Sequence, residues 1–222
     1  MMRHVRRLIP AAALICALPA IAAAQDQAVT LPTPDRTGGR PLMQVLQDRQ
    51  SQREFRSEPL STQMLSNLLW AAFGINRPDG RRTAPSASNR QEMDLYVALP
   101  GGLYLFEAKA HRLRLIAADD LRAATGTQAF AGQAALDLVY VADFAKIGGG
   151  SADDRLLYAG ADAGVIAENV YLFCASEHLA TVVRASVDRP ALARRMGLTA
   201  DQRIILAQSV GNPSKETTSI QR

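Results

Sequence analysis

Residues 163–177 read AGVIAENVYLFCASE, and their spacing predicts a helix along the whole stretch. Val165, Asn169, Leu172 and Ser176 mark one side, but most of the other positions are apolar too. A helix apolar nearly all round has no face suited to water and belongs inside a fold. The rest of the chain must supply its cover. With 222 residues, 48% of them apolar, there is material for one sizeable core and no obvious second one.

The neighbouring patterns say what the cover is made of. A helix is expected over residues 61–73, with Ser61 as its cap, Leu65, Leu68, Leu69 and Ala72 at helical spacing, and Gly74 to end it. Residues 93–99 alternate like a strand, with Leu95, Val97 and Leu99 on one face; Pro100-Gly101-Gly102 turns the chain into a second strand at 103–106. Residues 111–116 alternate again, 119–124 suit a helix, and the compact run 136–142 suits a central strand. Residues 145–153, with Gly148-Gly149-Gly150, read as a loop. Two more strands are expected at 180–185 and 203–210, with a helix at 190–196 between them. Helices and strands mix without regular βαβ alternation, so the fold class is α+β.

Charge offers little. The formal +4 includes three arginines in the first 24 residues, where there is no acid; the remainder carries 22 basic against 21 acidic residues. A near-neutral body gives no electrostatic ground for binding nucleic acid or an anionic membrane. The first 24 residues themselves fit a cleavable export signal. They are basic over 1–7 and apolar over 8–22, and end in Ala22-Ala23-Ala24 before Gln25. The apolar run is too short and Ala-rich for a comfortable span, so a periplasmic protein without a stable membrane anchor is expected. Arg6-Arg7 leaves both the twin-arginine and the ordinary export route open. Residues 25–40, with Pro32, Pro34, Gly38 and Gly39, suit a flexible linker. The folded domain is expected over 41–213 and a tail over 214–222.

Several chemistries find no residues. There is no G-x-x-x-x-G-K-[ST] loop, no G-x-G-x-x-G after a strand and no G-x-S-x-G. Past the signal, His111, His178 and the single Cys174 are too scattered for a zinc site. No nucleophile is paired with a base, so an enzyme built on this chain would take its chemistry from a cofactor.

Three segments remain. In Arg49-Gln50-Ser51-Gln52-Arg53, an extended backbone would point both arginines and the serine one way, a good clamp for a phosphate. The same residues also suit a solvated segment paired with Asp48 and Glu54. The loop Arg81-Arg82-Thr83-Ala84-Pro85-Ser86-Ala87-Ser88-Asn89-Arg90-Gln91 offers donors and acceptors to a flat ligand, or is an ordinary polar turn. Gly160-Ala161-Asp162-Ala163-Gly164 would open the long helix. Its free N–H groups could meet an electron-rich ligand edge, or its small residues could allow close helix packing.

Taken in order, these segments resemble the nitroreductase superfamily of flavoproteins. L-x-x-L-L-W-A-A-F-G-I-N-R, then R-T-A-P-S-A, D-L-Y-V and G-L-Y-L-F, over residues 65–106, are similar to its SagB-type, azoline-oxidase-like branch. The likeness runs over about residues 41–213. It implies a central antiparallel sheet flanked by helices, in a homodimer with FMN at the interface. It implies that Arg49, Ser51 and Arg53 bind the FMN phosphate and ribityl chain. Pro85, Ser86, Ala87 and Asn89 would reach the isoalloxazine of the partner subunit, and the backbone of Ala163 and Gly164 would approach flavin N5. Relatives carry a basic cluster near the C-terminus; here Lys215 alone follows the Val210-Gly211-Asn212-Pro213 segment closely. The activity implied is a two-step hydride or electron transfer between a small organic substrate and a donor such as NAD(P)H. A degenerate, non-catalytic flavin fold that binds a ligand or partner is the alternative, and azoline oxidation a further reading.

Overall fold

The structure, a computed structural model, describes residues 28–214. The expected export signal lies outside the described residues, as does Lys215 with the rest of the tail.

The sheet is antiparallel throughout. Its strands are β1 (Ala28–Thr30), β2 (Phe55–Arg56), β3 (Met93–Leu99), β4 (Gly102–Glu107), β5 (Arg112–Ala117), β6 (Leu136–Asp143), β7 (Ala180–Arg184) and β8 (Gln202–Pro213). They run in the order β1-β5-β4-β3-β6-β8-β2, with β7 also paired to β8. Strand periodicity sorts the side chains. Leu95 lies opposite Tyr140 and Val97 opposite Leu138, all four in the core beneath the long helices. Tyr96 and Val139, one residue over, enter a second core on the far face. The expected strands at 93–99, 136–142, 180–185 and 203–210 are all present, β8 running three residues past its expected end.

Five helices complete the layers: α1 (Leu42–Asp48), α2 (Thr62–Phe73), α3 (Phe144–Ile147), α4 (Ala152–Ser176) and α5 (Arg189–Met196). Helices α2 and α4 cover one face of the sheet; α5 places Leu192 and Met196 on the other. Ser61 caps α2 as expected, its Oγ accepting from the Met64 amide at 3.1 Å. Gly74 ends α2 for a different reason than expected. Its backbone is extended rather than left-handed, and a Cβ there would come within 2.4 Å of the Trp70 ring.

The long helix corrects the sequence reading in two ways. It begins at Ala152, ahead of the Gly160–Gly164 stretch expected to open it, because Ser151 and Asp154 form a capping box at 3.0 Å in both directions. The glycine-rich stretch ends just before it, and residues 160–164 lie within the helix rather than at its mouth. Nor is it buried all round. Ala159, Ala163, Ile166, Ala167, Val170 and Cys174 face the core, whereas Leu156, Leu157, Tyr158 and Val165 are exposed, Leu157 by 70%.

Three smaller expectations change. Residues 119–124 give only a 3₁₀ turn at Arg122–Thr125, and the loop over 145–153 contains the end of α3. The linker expected over 25–40 is tied down from Ala28 on. β1 pairs with β5, Leu31 is buried in the main core, and Ser66 Oγ donates to the Pro32 carbonyl at 2.5 Å. The Ser66 proton is thereby used, so His111 Nε2, 2.6 Å from the same oxygen, is the donor in that contact.

One ion pair is wholly inside. Arg184 donates to Asp137, to Ser209 Oγ at 3.0 Å and to the Thr125 carbonyl at 2.9 Å, beneath the Phe130 ring. Removing one partner of such a pair strands a buried charge. Asp137→Ala is expected to cost roughly 3–5 kcal/mol of stability, read as a lowered denaturant midpoint with the slope unchanged.

Candidate functional site

The arginine–serine segment leaves α1 in an extended conformation, with Arg49 at φ −58°, ψ 121°. Its middle is fixed to the sheet by the Gln52 amide, which donates to the Thr181 carbonyl at 2.9 Å. Two of the three expected side chains then converge on one residue of α4. The Arg49 guanidinium lies 5.4 Å from the centre of the Tyr171 ring, and Ser51 Oγ is 2.7 Å from the Tyr171 hydroxyl. Arg53 is exposed at the surface beside them. The competing solvated reading loses its first partner, because Asp48 pairs with Arg40 at 2.6 Å. Glu54 accepts from Ser214 Oγ at 3.0 Å.

The second segment is held at a different place. Ser88, Asn89 and Gln91 all have positive φ, at 54°, 53° and 49°, an uncommon backbone for residues with a side chain. The turn is closed by Ser86 Oγ, which accepts from the Gln91 amide at 2.9 Å, and is braced by Arg82, which donates to Gln91 Oε1 at 3.0 Å. Its tie to the helix layer is the Ala87 amide, which donates to Asp162 Oδ2 at 3.1 Å. Pro85 and Asn89 are left exposed, Ser86 and Ala87 half-buried.

The third segment fails as drawn from sequence. Ala163 and Gly164 sit eleven and twelve residues inside α4, where each amide is used by the carbonyl four residues back. Ala163 is fully buried, so neither residue offers a free N–H. Packing through small residues does not occur within the chain either: a Cβ on Gly160 or Gly164 would meet nothing within 4 Å. Both glycines lie on the open side of the helix.

Asp162 and Tyr171 are therefore the residues that hold the two candidate segments, and both stand on α4. They are nine positions apart, about 13.5 Å along the axis and about 180° around it. Each marks one edge of the buried stripe. Tyr171 gave no signal in the sequence, since a tyrosine in an apolar helix is ordinary. Asp162 gave one, a carboxylate set among small and apolar residues.

A second carboxyl group lies beside Asp162. Glu92 is 1% exposed and neither of its oxygens meets a donor. Burial, and then the adjacent Asp162 carboxyl, raise its pKa to about 7. Arg90, on the same segment, opposes the shift. Among the described residues no three His, Cys, Asp or Glu side chains gather as a metal site, and no helix is long and apolar enough to cross a membrane.

The chain matches the model of the nitroreductase family over residues 46–212. A protein of Methanocaldococcus jannaschii, provisionally assigned as a nitroreductase, is 30% identical over 151 residues, 64% of this chain and 76% of that one. A crystal structure from Ralstonia eutropha JMP134, with the same provisional assignment, has a TM-score of 0.82 at 44% identity, over 95% of this chain and 97% of that one. The NADPH:FMN oxidoreductase of Vibrio harveyi, complexed with NAD+, shares the fold at 17% identity and a TM-score of 0.60, over 79% of this chain and 70% of that one. The expected α+β fold, an antiparallel sheet with flanking helices, is thus nitroreductase-like.

The raised Glu92 pKa has a signed consequence. The folded chain keeps a proton that the unfolded chain releases near its ordinary 4.5, so the stabilisation is full below that pH and is lost as pH rises to about 7. Stability measured by thermal melts from pH 4.5 to 8 should fall by roughly 1–3 kcal/mol more in the wild type than in Glu92→Gln. Parallel profiles for the two proteins would remove the effect.

Proposed function

Because the chain belongs to the nitroreductase family, we propose that it is an FMN-dependent oxidoreductase whose flavins lie between two copies of the chain. Arg49, Ser51 and Arg53 of one copy hold the phosphate and ribityl end. Pro85, Ser86, Ala87 and Asn89 of the other cover the ring. FMN held there would supply the redox chemistry, a two-step hydride or electron transfer between NAD(P)H or an organic donor and an organic acceptor.

The observation that carries this reading is the separation of the two segments on α4. Held at opposite edges of the helix and about 13.5 Å apart along it, they are poorly placed to grip one flavin within a single chain. Two copies can bring the clamp of one to the loop of the other. The donor set fits the group: two guanidinium groups and a hydroxyl suit a phosphate dianion, and the exposed Pro85 and Asn89 suit a flat ring. The open side of α4 supports the pairing as well. Leu157, Val165 and the two glycines, with Glu168 among them, form a mostly apolar, small-residue face of a kind that a second helix covers closely, and Leu42, Met43 and Leu46 of α1 are exposed as well.

Within this arrangement the chain's own residues bind and exclude. The arginines neutralise the phosphate, and the strained 85–91 turn keeps water from the ring once the copies meet. The motifs over residues 65–106 favour the SagB-type branch, and the basic, then apolar, first 24 residues favour export to the periplasm.

Purified protein is expected to carry FMN, seen as flavin absorbance and identified by mass after release; protein that neither carries nor takes up FMN would refute the reading. Arg49→Ala should weaken FMN binding about 10- to 100-fold, from the roughly 1.5–3 kcal/mol of a hydrogen bond to a charged group. The interface has its own test in Gly164→Arg, at a position where one chain has open space. Sedimentation should show a folded monomer that has lost FMN, whereas an unchanged dimer would place the interface elsewhere.

A further inference from the structure

The Tyr171 hydroxyl is 6% exposed as part of its residue and stands between two partners. The Val183 amide of β7 donates to it at 2.9 Å. Ser51 Oγ lies 2.7 Å away on the other side. A backbone N–H can only donate, so the tyrosine oxygen is an acceptor in the first contact and its own proton is uncommitted. If Ser51 donated to it as well, that proton would be buried without an acceptor, a costly arrangement. The satisfied arrangement has the tyrosine donating to Ser51. One of the serine's two lone pairs is then occupied, and its proton is free to turn outward, where Ser51 is exposed. Arg49 is stacked over the same ring, at 5.4 Å.

We propose that Tyr171 is a positioning residue of the anion clamp: through a relay from the Val183 amide it fixes Ser51 as a hydrogen-bond donor and seats Arg49 beside it, for a phosphate monoester oxygen. This rests on the reading of Arg49, Ser51 and Arg53 as the FMN phosphate site. It adds a direction to that site, since an unassisted serine hydroxyl can donate or accept and so does not by itself favour an anion. The fold supplies the relay: β7 presents an amide, α4 presents the ring, and the Gln52 amide bound to Thr181 holds Ser51 in reach.

The test compares FMN with riboflavin, which differ by the phosphate, by fluorescence titration of the full chain. Tyr171→Phe keeps the ring under Arg49 and deletes the relay. FMN affinity should fall about 5- to 10-fold, the size of one hydrogen bond, while riboflavin affinity stays within about twofold, inside the scatter of such measurements. Ser51→Ala should give the same selective loss, and the double variant should be no worse than Ser51→Ala alone, because both remove one linked contact. A Tyr171→Phe protein that loses FMN and riboflavin alike, keeps full FMN affinity, or adds its loss to that of Ser51→Ala overturns the proposal while leaving the phosphate site standing. Wild type that binds the two flavins equally overturns the phosphate site and this role together. If Tyr171→Phe does not fold, Ser51→Ala at its exposed position decides, and an unchanged preference for FMN counts against the proposal.

Discussion

Both candidate segments of this protein are positioned by the packing of α4 against the sheet. Six apolar side chains between Ala159 and Cys174 fix the helix over β7 and β8, and the two residues that bound that stripe, Asp162 and Tyr171, are the ones that reach the two candidate segments. A helix rigidly seated by its core face carries its edge residues at fixed distances and angles. The spacing of the 49–53 segment from the 85–91 turn is therefore set by core packing rather than by the loops themselves. Loops so placed can be irregular, even strained, without losing their position.

The polar groups at the two edges differ in how they are satisfied. At the Tyr171 edge every partner is accounted for: an amide donates, a hydroxyl passes the polarity on, and a serine ends the chain at the surface. At the Asp162 edge a buried carboxyl, Glu92, meets no donor and keeps its proton until near neutral pH. The first arrangement suits an anion. The second holds a turn through Asp162, which is both the acceptor for Ala87 and the neighbour of Glu92.

The outer side of α4 explains a tension within the sequence itself. A helix apolar nearly all round ought to be inside, yet one chain covers only half of it. Leu157, Val165 and the two glycines are left facing outward. Under the proposed dimer the contradiction disappears, because the burial demanded by composition is completed by a second copy.

Local pattern was enough for the strands and for the capped helix α2, because alternation and capping act between residues close in the chain. Hence β3, β6 and the Ser61 cap lie where the sequence puts them. It was also enough to single out Arg49, Ser51 and Arg53 as a group. What it did not decide was the start of α4, where the Ser151–Asp154 capping box outweighed the two internal glycines. That is a difference of a few local hydrogen bonds, and it moved residues 160–164 from a helix mouth to a helix middle. Nor could it decide Tyr171 and Asp162, whose partners lie 120 and 75 residues away. The sequence by itself determined the layers, the antiparallel strands and the residue types of the clamp, since these follow from short-range periodicity and chemistry. Only the tertiary structure decided which hydroxyl donates to which and on which edge of α4 each segment rests, because those depend on contacts that exist only once the helix is seated on the sheet.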